Sequence, residues 1–259
     1  MDAGRICRAD SRPTCRRPTP SAQPRGGPPA QSRGRLVKQR GLVIAIDGTV
    51  GTGKTTTAQR VAERLGYRHL DTGAMYRAVT LAATRLGVAP EDEDGLEALL
   101  ATATIDLDSG RGRVLLDGQD ISEAIRQPDI TRQVVAYANV PLVRHSLVAQ
   151  QQQLGREGGV VAEGRDIASV VFPAAELKIA LVADLDERAR RRHRELTTKG
   201  VCITLEQVRS DIQARDRQDA ARDYGGTSAA DEIVAIDTTR MTLEDQVDCV
   251  VALARQRGA

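Results

Sequence analysis

The sequence alternates between two kinds of apolar pattern. Leu42 to Ile46 is a short β-branched run without polar alternation, the signature of a strand covered on both faces of a parallel sheet. A glycine-rich turn follows. Ala58, Val61, Ala62 and Leu65 then recur at helical spacing, and Gly66 closes that helix. Further strands are predicted at His69–Leu70, Val160 to Ala162, Lys178 to Ala183 and Ile233 to Ile236. Helical patterns lie between them: 74–86 ending at Gly87, about 129–139, 142–156, 186–195, 205–218 and 243–255. Pro141 suits a first helical position, and Thr204 with Gln207 has capping-box spacing. Strand, loop and helix in alternation predict an α/β protein with about five parallel strands and helices on both faces.

One region breaks the alternation. Thr104 to Asp108 and Arg113 to Leu116 flank a Ser-Gly-Arg-Gly turn, and Asp117–Gly118 makes another. This predicts an antiparallel hairpin or three-stranded meander inside an insertion at about 88–140, outside the main sheet.

Gly48, Thr49, Val50, Gly51, Thr52, Gly53, Lys54 and Thr55 match the phosphate-loop pattern at every fixed position, between a strand and a helix. Such a loop turns successive backbone N–H groups toward one anion, which the following helix end also attracts. Lys54 adds a mobile positive charge, and the Thr55 hydroxyl is placed for Mg²⁺. These residues predict ATP or GTP binding. A regulatory GTPase would need an Asn-Lys-x-Asp sequence, which is absent.

Three further clusters carry arginine: Asp71 to Arg77, Glu163 to Asp166, and Arg215 to Arg222. Ligands of open α/β sheets sit at the carboxyl ends of strands, so Arg77, Arg165 and Arg222 could meet in one cleft. Surface salt bridging is the ordinary fate of any one of them. The run Arg188 to Arg194 reads either as a solvated helix face or as a mobile lid over the triphosphate.

Composition refines this picture. The net charge of +2 hides ten Lys or Arg against two acids in residues 1–40, a local +8 that leaves −6 on the rest. Those forty residues also hold six of the ten prolines, so a disordered basic tail is expected. A transit peptide, a nucleic-acid-binding arm and a later translation start are all compatible with it. No apolar run approaches the roughly 20 residues of a membrane helix. Phe172 and four tyrosines are the sole aromatics, which argues against base-stacking platforms. Cys7, Cys15, Cys202 and Cys249 form no metal or disulfide pattern, and a cytoplasmic location is expected. His69, His145 and His193 read as structural.

The chain resembles the bacterial-type cytidylate kinases, P-loop nucleoside monophosphate kinases. The resemblance runs through Ile44 to Gly48 with the loop, Leu70 to Arg77, Val160 to Ile167, Val170 to Pro173, Arg188 to Arg192 and Arg215 to Arg222, and spans residues 42 to 255. It implies transfer of the ATP γ-phosphoryl group to CMP or dCMP, with Mg²⁺, in a monomer that needs neither membrane nor nucleic acid. Lys54, Arg165 and Arg222 would carry catalysis. Thr72 and Asp219 would contact the sugar, with Arg215 nearby. Arg77, Arg165 and Arg222 would hold the phosphate, while Arg144 and Asp166 would read the cytosine edge. The implied architecture is a core over 41–87 and 141–259, a monophosphate-binding insertion at about 88–140, and a lid at about 184–200.

Three positions depart from the family pattern. Thr49–Val50 replaces a Pro-Ala or Pro-Ser pair, Val135 stands where a small hydroxyl residue helps read cytosine, and Asp223 to Ser228 replaces an Ala-Val-Ala-Pro-like stretch. A kinase for another small acceptor such as UMP therefore stays open, as does an ATP-gated nucleic-acid-binding protein.

Overall fold

A computed structural model describes residues 40–108, 112–220 and 233–259. The strands are β1 (Val43–Gly48), β2 (Arg68–Asp71), β3 (Ile105–Asp108), β4 (Arg113–Leu116), β5 (Gln119–Asp120), β6 (Val160–Gly164), β7 (Leu177–Val182) and β8 (Ile233–Asp237). The helices are α1 (Lys54–Leu65), α2 (Thr72–Leu86), α3 (Glu93–Thr102), α4 (Pro128–Ala138), α5 (Pro141–Gly155), α6 (Leu185–Thr198), α7 (Leu205–Ala220) and α8 (Leu243–Gln256).

Five strands form the expected parallel sheet, in the order β2-β6-β1-β7-β8. Strand β1 lies at its centre, and Val43 to Ile46 are all buried, which accounts for the absence of polar alternation. On one face α1 and α8 pack Ala58, Val61, Val247 and Val251 against Ile44, Ile46 and Ile179. The other face is covered by α2 and α5, through Met75, Val79 and Leu147. The carboxyl ends of β1, β2 and β6 therefore open on the same edge.

The predicted meander is present as the antiparallel sheet β3-β4-β5. Its Val114 and Leu116 share a core with Leu70 and Met75, so the insertion packs directly onto the main layer. Helix α3 was not predicted. Asp92 caps it by accepting from Gly95 N at 3.0 Å, and Glu93 and Asp94 suit its positive end. The acidic opening hides a short apolar stripe, Leu96 and Leu99, both buried.

The remaining helix limits differ from the expected ones by a few residues at most. Pro141 occupies the first turn of α5. The capping box of α7 is formed, with Gln207 N donating to Thr204 Oγ1 at 3.2 Å and Thr204 N to Gln207 Oε1 at 2.9 Å. The expected tail at 1–40 (but for Arg40), together with Arg222 and Asp223 to Ser228, lies outside the described residues. Among the described residues no helix is long and apolar enough to cross a membrane.

Candidate active site

The phosphate loop joins β1 to α1. Gly53 precedes α1 with φ 94°, a left-handed conformation that favours glycine, and a Cβ there would lie 2.9 Å from Gln246 Oε1. Two side chains converge on the Thr49 carbonyl: Thr52 Oγ1 donates to it at 2.9 Å and Lys54 Nζ at 3.0 Å. Thr52 is fully buried and braces the turn. Val50, Gly51, Gly53, Lys54 and Thr55 face a cleft of about 890 Å³, near the upper end of the roughly 300–1,000 Å³ usual for small-molecule sites. Gly48 and Thr49 instead serve the loop's surroundings: the Gly48 carbonyl accepts from Arg165 Nη1, and the Thr49 hydroxyl accepts from Arg188.

The same cleft is lined by Thr72, Arg77, Arg144, Arg165, Asp166, Arg215 and Asp219. All described members of the predicted acceptor set are thus brought to one cleft, from α2, α5, α7 and the segment directly after β6. Each of three arginines rests on a carboxylate: Arg77 on Asp71 at 3.2 Å, Arg165 on Asp219 at 2.8 Å, and Arg144 on Asp166. Thr72 is buried and donates to the Glu163 carbonyl at 2.7 Å. Val135 lines the cleft beside Thr131 and Val134, so α4 presents a mostly apolar wall there.

The cationic groups crowd one another. Burial, and next the positive charge of Arg165, lower the Lys54 pKa from its ordinary value to about 7. Burial also lowers that of Arg215, followed by repulsion from Arg165; Arg77 and Arg192 add to it, against the attraction of Asp219. Among the described residues, the buried Nε atoms of Arg77 and Arg215 have no hydrogen-bond acceptor. A site with surplus positive charge and unused donors favours an anion.

Sequence patterns alone missed two carboxylates. Glu163, 3% exposed, accepts from Thr55 Oγ1 at 3.0 Å and lies 3.3 Å from His69 Nε2. Asp47 accepts from Ile167 N at 2.8 Å and Ala168 N at 3.0 Å, fixing the single π-helical turn Ile167–Val171. Burial raises the Asp47 pKa, and the two N–H donors oppose that rise. The signal for both was their place at strand ends beside the glycine motifs. His69, read as structural, braces the Glu163 carboxylate at the cleft. The Arg188–Arg194 run also divides: Arg188 is buried on Asp216, whereas Arg191, Arg192 and Arg194 line the cleft.

Among the described residues no group of three or more His, Cys, Asp or Glu could hold a metal unaided. The Thr55 hydroxyl beside the Glu163 carboxylate is an oxygen pair suited to a hard cation.

The family model described as "Cytidylate kinase" matches residues 44–256. The chain is 46% identical over 223 residues to the bifunctional pantoate ligase/cytidylate kinase of Synechococcus elongatus, covering 83% of this chain and 42% of that protein. It therefore spans about two-fifths of the length of that relative. It is 42% identical over 221 residues to the cytidylate kinase of Geobacter sulfurreducens, covering 85% of this chain and 95% of that one. The cytidylate kinase of Syntrophotalea carbinolica is 44% identical over 220 residues, covering 84% and 94%. A phosphate loop facing a cleft of arginines on a five-stranded parallel sheet is matched by likeness over most of the sequence, and the chain belongs to the cytidylate kinase family.

Proposed function

We propose that this protein transfers the γ-phosphoryl group of ATP to the 5′-phosphate of CMP or dCMP, giving ADP and CDP or dCDP. The observation that carries the reading is the convergence of Lys54, Arg77, Arg165 and Arg215 on one cleft beside the phosphate loop. ATP carries a charge of about −4 and a monophosphate about −2 near neutral pH, since the second phosphate pKa is about 6. Bringing them to reacting distance in a dry cleft costs Coulomb energy that fixed guanidinium groups offset.

Lys54 and the loop hold the β- and γ-phosphates of ATP. Arg77 and Arg165 hold the acceptor phosphate, with Arg222 as a third expected partner. Arg215, surrounded by cationic neighbours, contributes positive charge to the same region, and Asp219 with Thr72 faces the sugar. Arg144 and Asp166 read the base. An oxygen of the CMP phosphate, already deprotonated, attacks the γ-phosphorus as the bond to the β–γ bridging oxygen breaks, so no general base is needed. The Thr55 hydroxyl, with the Glu163 carboxylate beside it, would hold a Mg²⁺ ion bound with ATP, and that ion would supply neutralisation of phosphate charge. The segment at about 184–200 acts as the lid, bringing Arg192 and Arg194 over the transferring group and excluding water, while Arg191 lines the cleft at its anchored start. The chain works as a monomer, in the cytoplasm.

A second acceptor, UMP, is favoured by one observation: Val135 lines the cleft and offers no hydrogen bond to the base. Initial rates with Mg–ATP and each common nucleoside monophosphate test the proposal. CMP and dCMP should be the best acceptors, with UMP next. A preference for any purine monophosphate, or no transfer at all, overturns it.

A further inference from the structure

The tip of the phosphate loop touches more than the cleft. Arg188 Nη1 donates to Thr49 Oγ1 at 3.0 Å and to the Val50 carbonyl at 3.4 Å. The same guanidinium also holds two other partners. Its Nε donates to the Ala183 carbonyl at 3.1 Å, and Nη1 and Nη2 reach the two Asp216 carboxylate oxygens at 3.1 and 2.7 Å. Arg188 is 7% exposed, so the arrangement is sheltered from water. The Val50 side chain packs against Ala189, Val208 and Ile212, the apolar cluster that joins α6 to α7. Gly51, at φ +80°, lies against the Arg188 backbone, where a Cβ would stand 2.8 Å from the carbonyl oxygen. Three consecutive tip residues thus contact the α6–α7 pair in three different ways.

Helix α7 is also an acceptor-side element. Asp216 follows Arg215 directly and lies one turn before Asp219; both of those neighbours line the cleft, and Asp219 holds Arg165 at 2.8 Å. We infer that Thr49, Arg188 and Asp216 form a positioning bridge that couples the two substrate sites. A triphosphate that fixes the loop tip fixes Arg188, and through the two-pronged ion pair it fixes the face of α7 that meets the acceptor. Thr49 and Val50 supply the loop's side of the bridge: an acceptor hydroxyl and an apolar contact. This inference rests on the proposed kinase reading.

Calorimetric titration of the full chain tests it. A non-hydrolysable ATP analogue is titrated with and without saturating CMP, and CMP with and without the analogue. In the wild type each ligand should tighten the other by the same factor, about five- to twenty-fold, as linkage requires. Thr49→Val and Asp216→Asn should reduce that factor below about two, whereas Thr49→Ser, which keeps the hydroxyl, should preserve it. Thr49→Val removes a single hydrogen bond and decides the matter if Asp216→Asn does not fold. A wild type that phosphorylates CMP but shows no coupling overturns the bridge and leaves the kinase reading intact. Undiminished coupling in Thr49→Val does the same. Failure of the wild type to bind CMP overturns both.

Discussion

Lys54 is the residue on which the proposed donor site turns. Its amine is held at a pKa of about 7 by burial and by Arg165, so much of it is neutral in the ligand-free protein above neutral pH. Phosphate oxygens favour the charged form, and a triphosphate should therefore take up about one proton at pH 8 and very little from this group at pH 6. Calorimetry in buffers of different ionisation enthalpy measures this uptake, and Lys54→Arg, permanently charged, should abolish it. The sign for stability agrees: between about 7 and 10.5 the unfolded chain binds the extra proton, so the ligand-free protein gains stability as pH rises through that window. Lys54→Ala should lower turnover by at least about 100-fold, the usual loss for one oriented electrostatic stabiliser. At the acceptor end, Val135→Ser should tighten CMP relative to UMP, read as the ratio of the two KM values. The glycines, Lys54 and the arginine clusters were legible in the sequence because their chemistry needs fixed local spacing. Glu163 was not, since it meets Thr55 across 108 residues only through the parallel pairing of β1 with β6.

At the scale of elements, local signals were sufficient wherever a cap or a covered strand stood alone. The α7 capping box is an example. Thr204→Ala removes the hydroxyl that accepts from Gln207 N, and a cap of this kind is worth about 0.5–2 kcal/mol. Denaturant unfolding should show a loss of that size with an unchanged m-value. Helix α3 escaped notice because its acidic first turn masks a two-residue apolar stripe. Helix α6 shows the limit of pattern reading more sharply. Its arginines look equivalent in sequence, yet Arg188 points inward to Asp216, and Arg191 donates to Thr238 Oγ1 at 3.1 Å. The start of the helix is therefore anchored to the core beside the loop. The proposed lid motion would then be confined to the part beyond Arg191, where Arg192 and Arg194 pair with acids of the same helix.

Over the whole molecule, the sheet acts as a device for gathering charge. The strand ends of β1 and β6 and the helices α1, α2, α5, α6 and α7 bring cations from segments far apart in sequence to one edge, where Asp71, Asp166 and Asp219 pair with three of them. These ion pairs keep the guanidinium groups oriented, so less ordering remains to be done on binding. The central claim is that the cleft selects its acceptor chiefly through the phosphate. The most direct measurement compares the affinities of CMP and cytidine by calorimetry, in the wild type and in Arg77→Met/Arg165→Met. Charge-assisted hydrogen bonds contribute about 1.5–3 kcal/mol each, so the wild type should bind CMP at least about 100-fold more tightly than cytidine. In the double variant that preference should fall to within about tenfold. Equal affinity for CMP and cytidine in the wild type, or an undiminished preference in the double variant, would contradict the account.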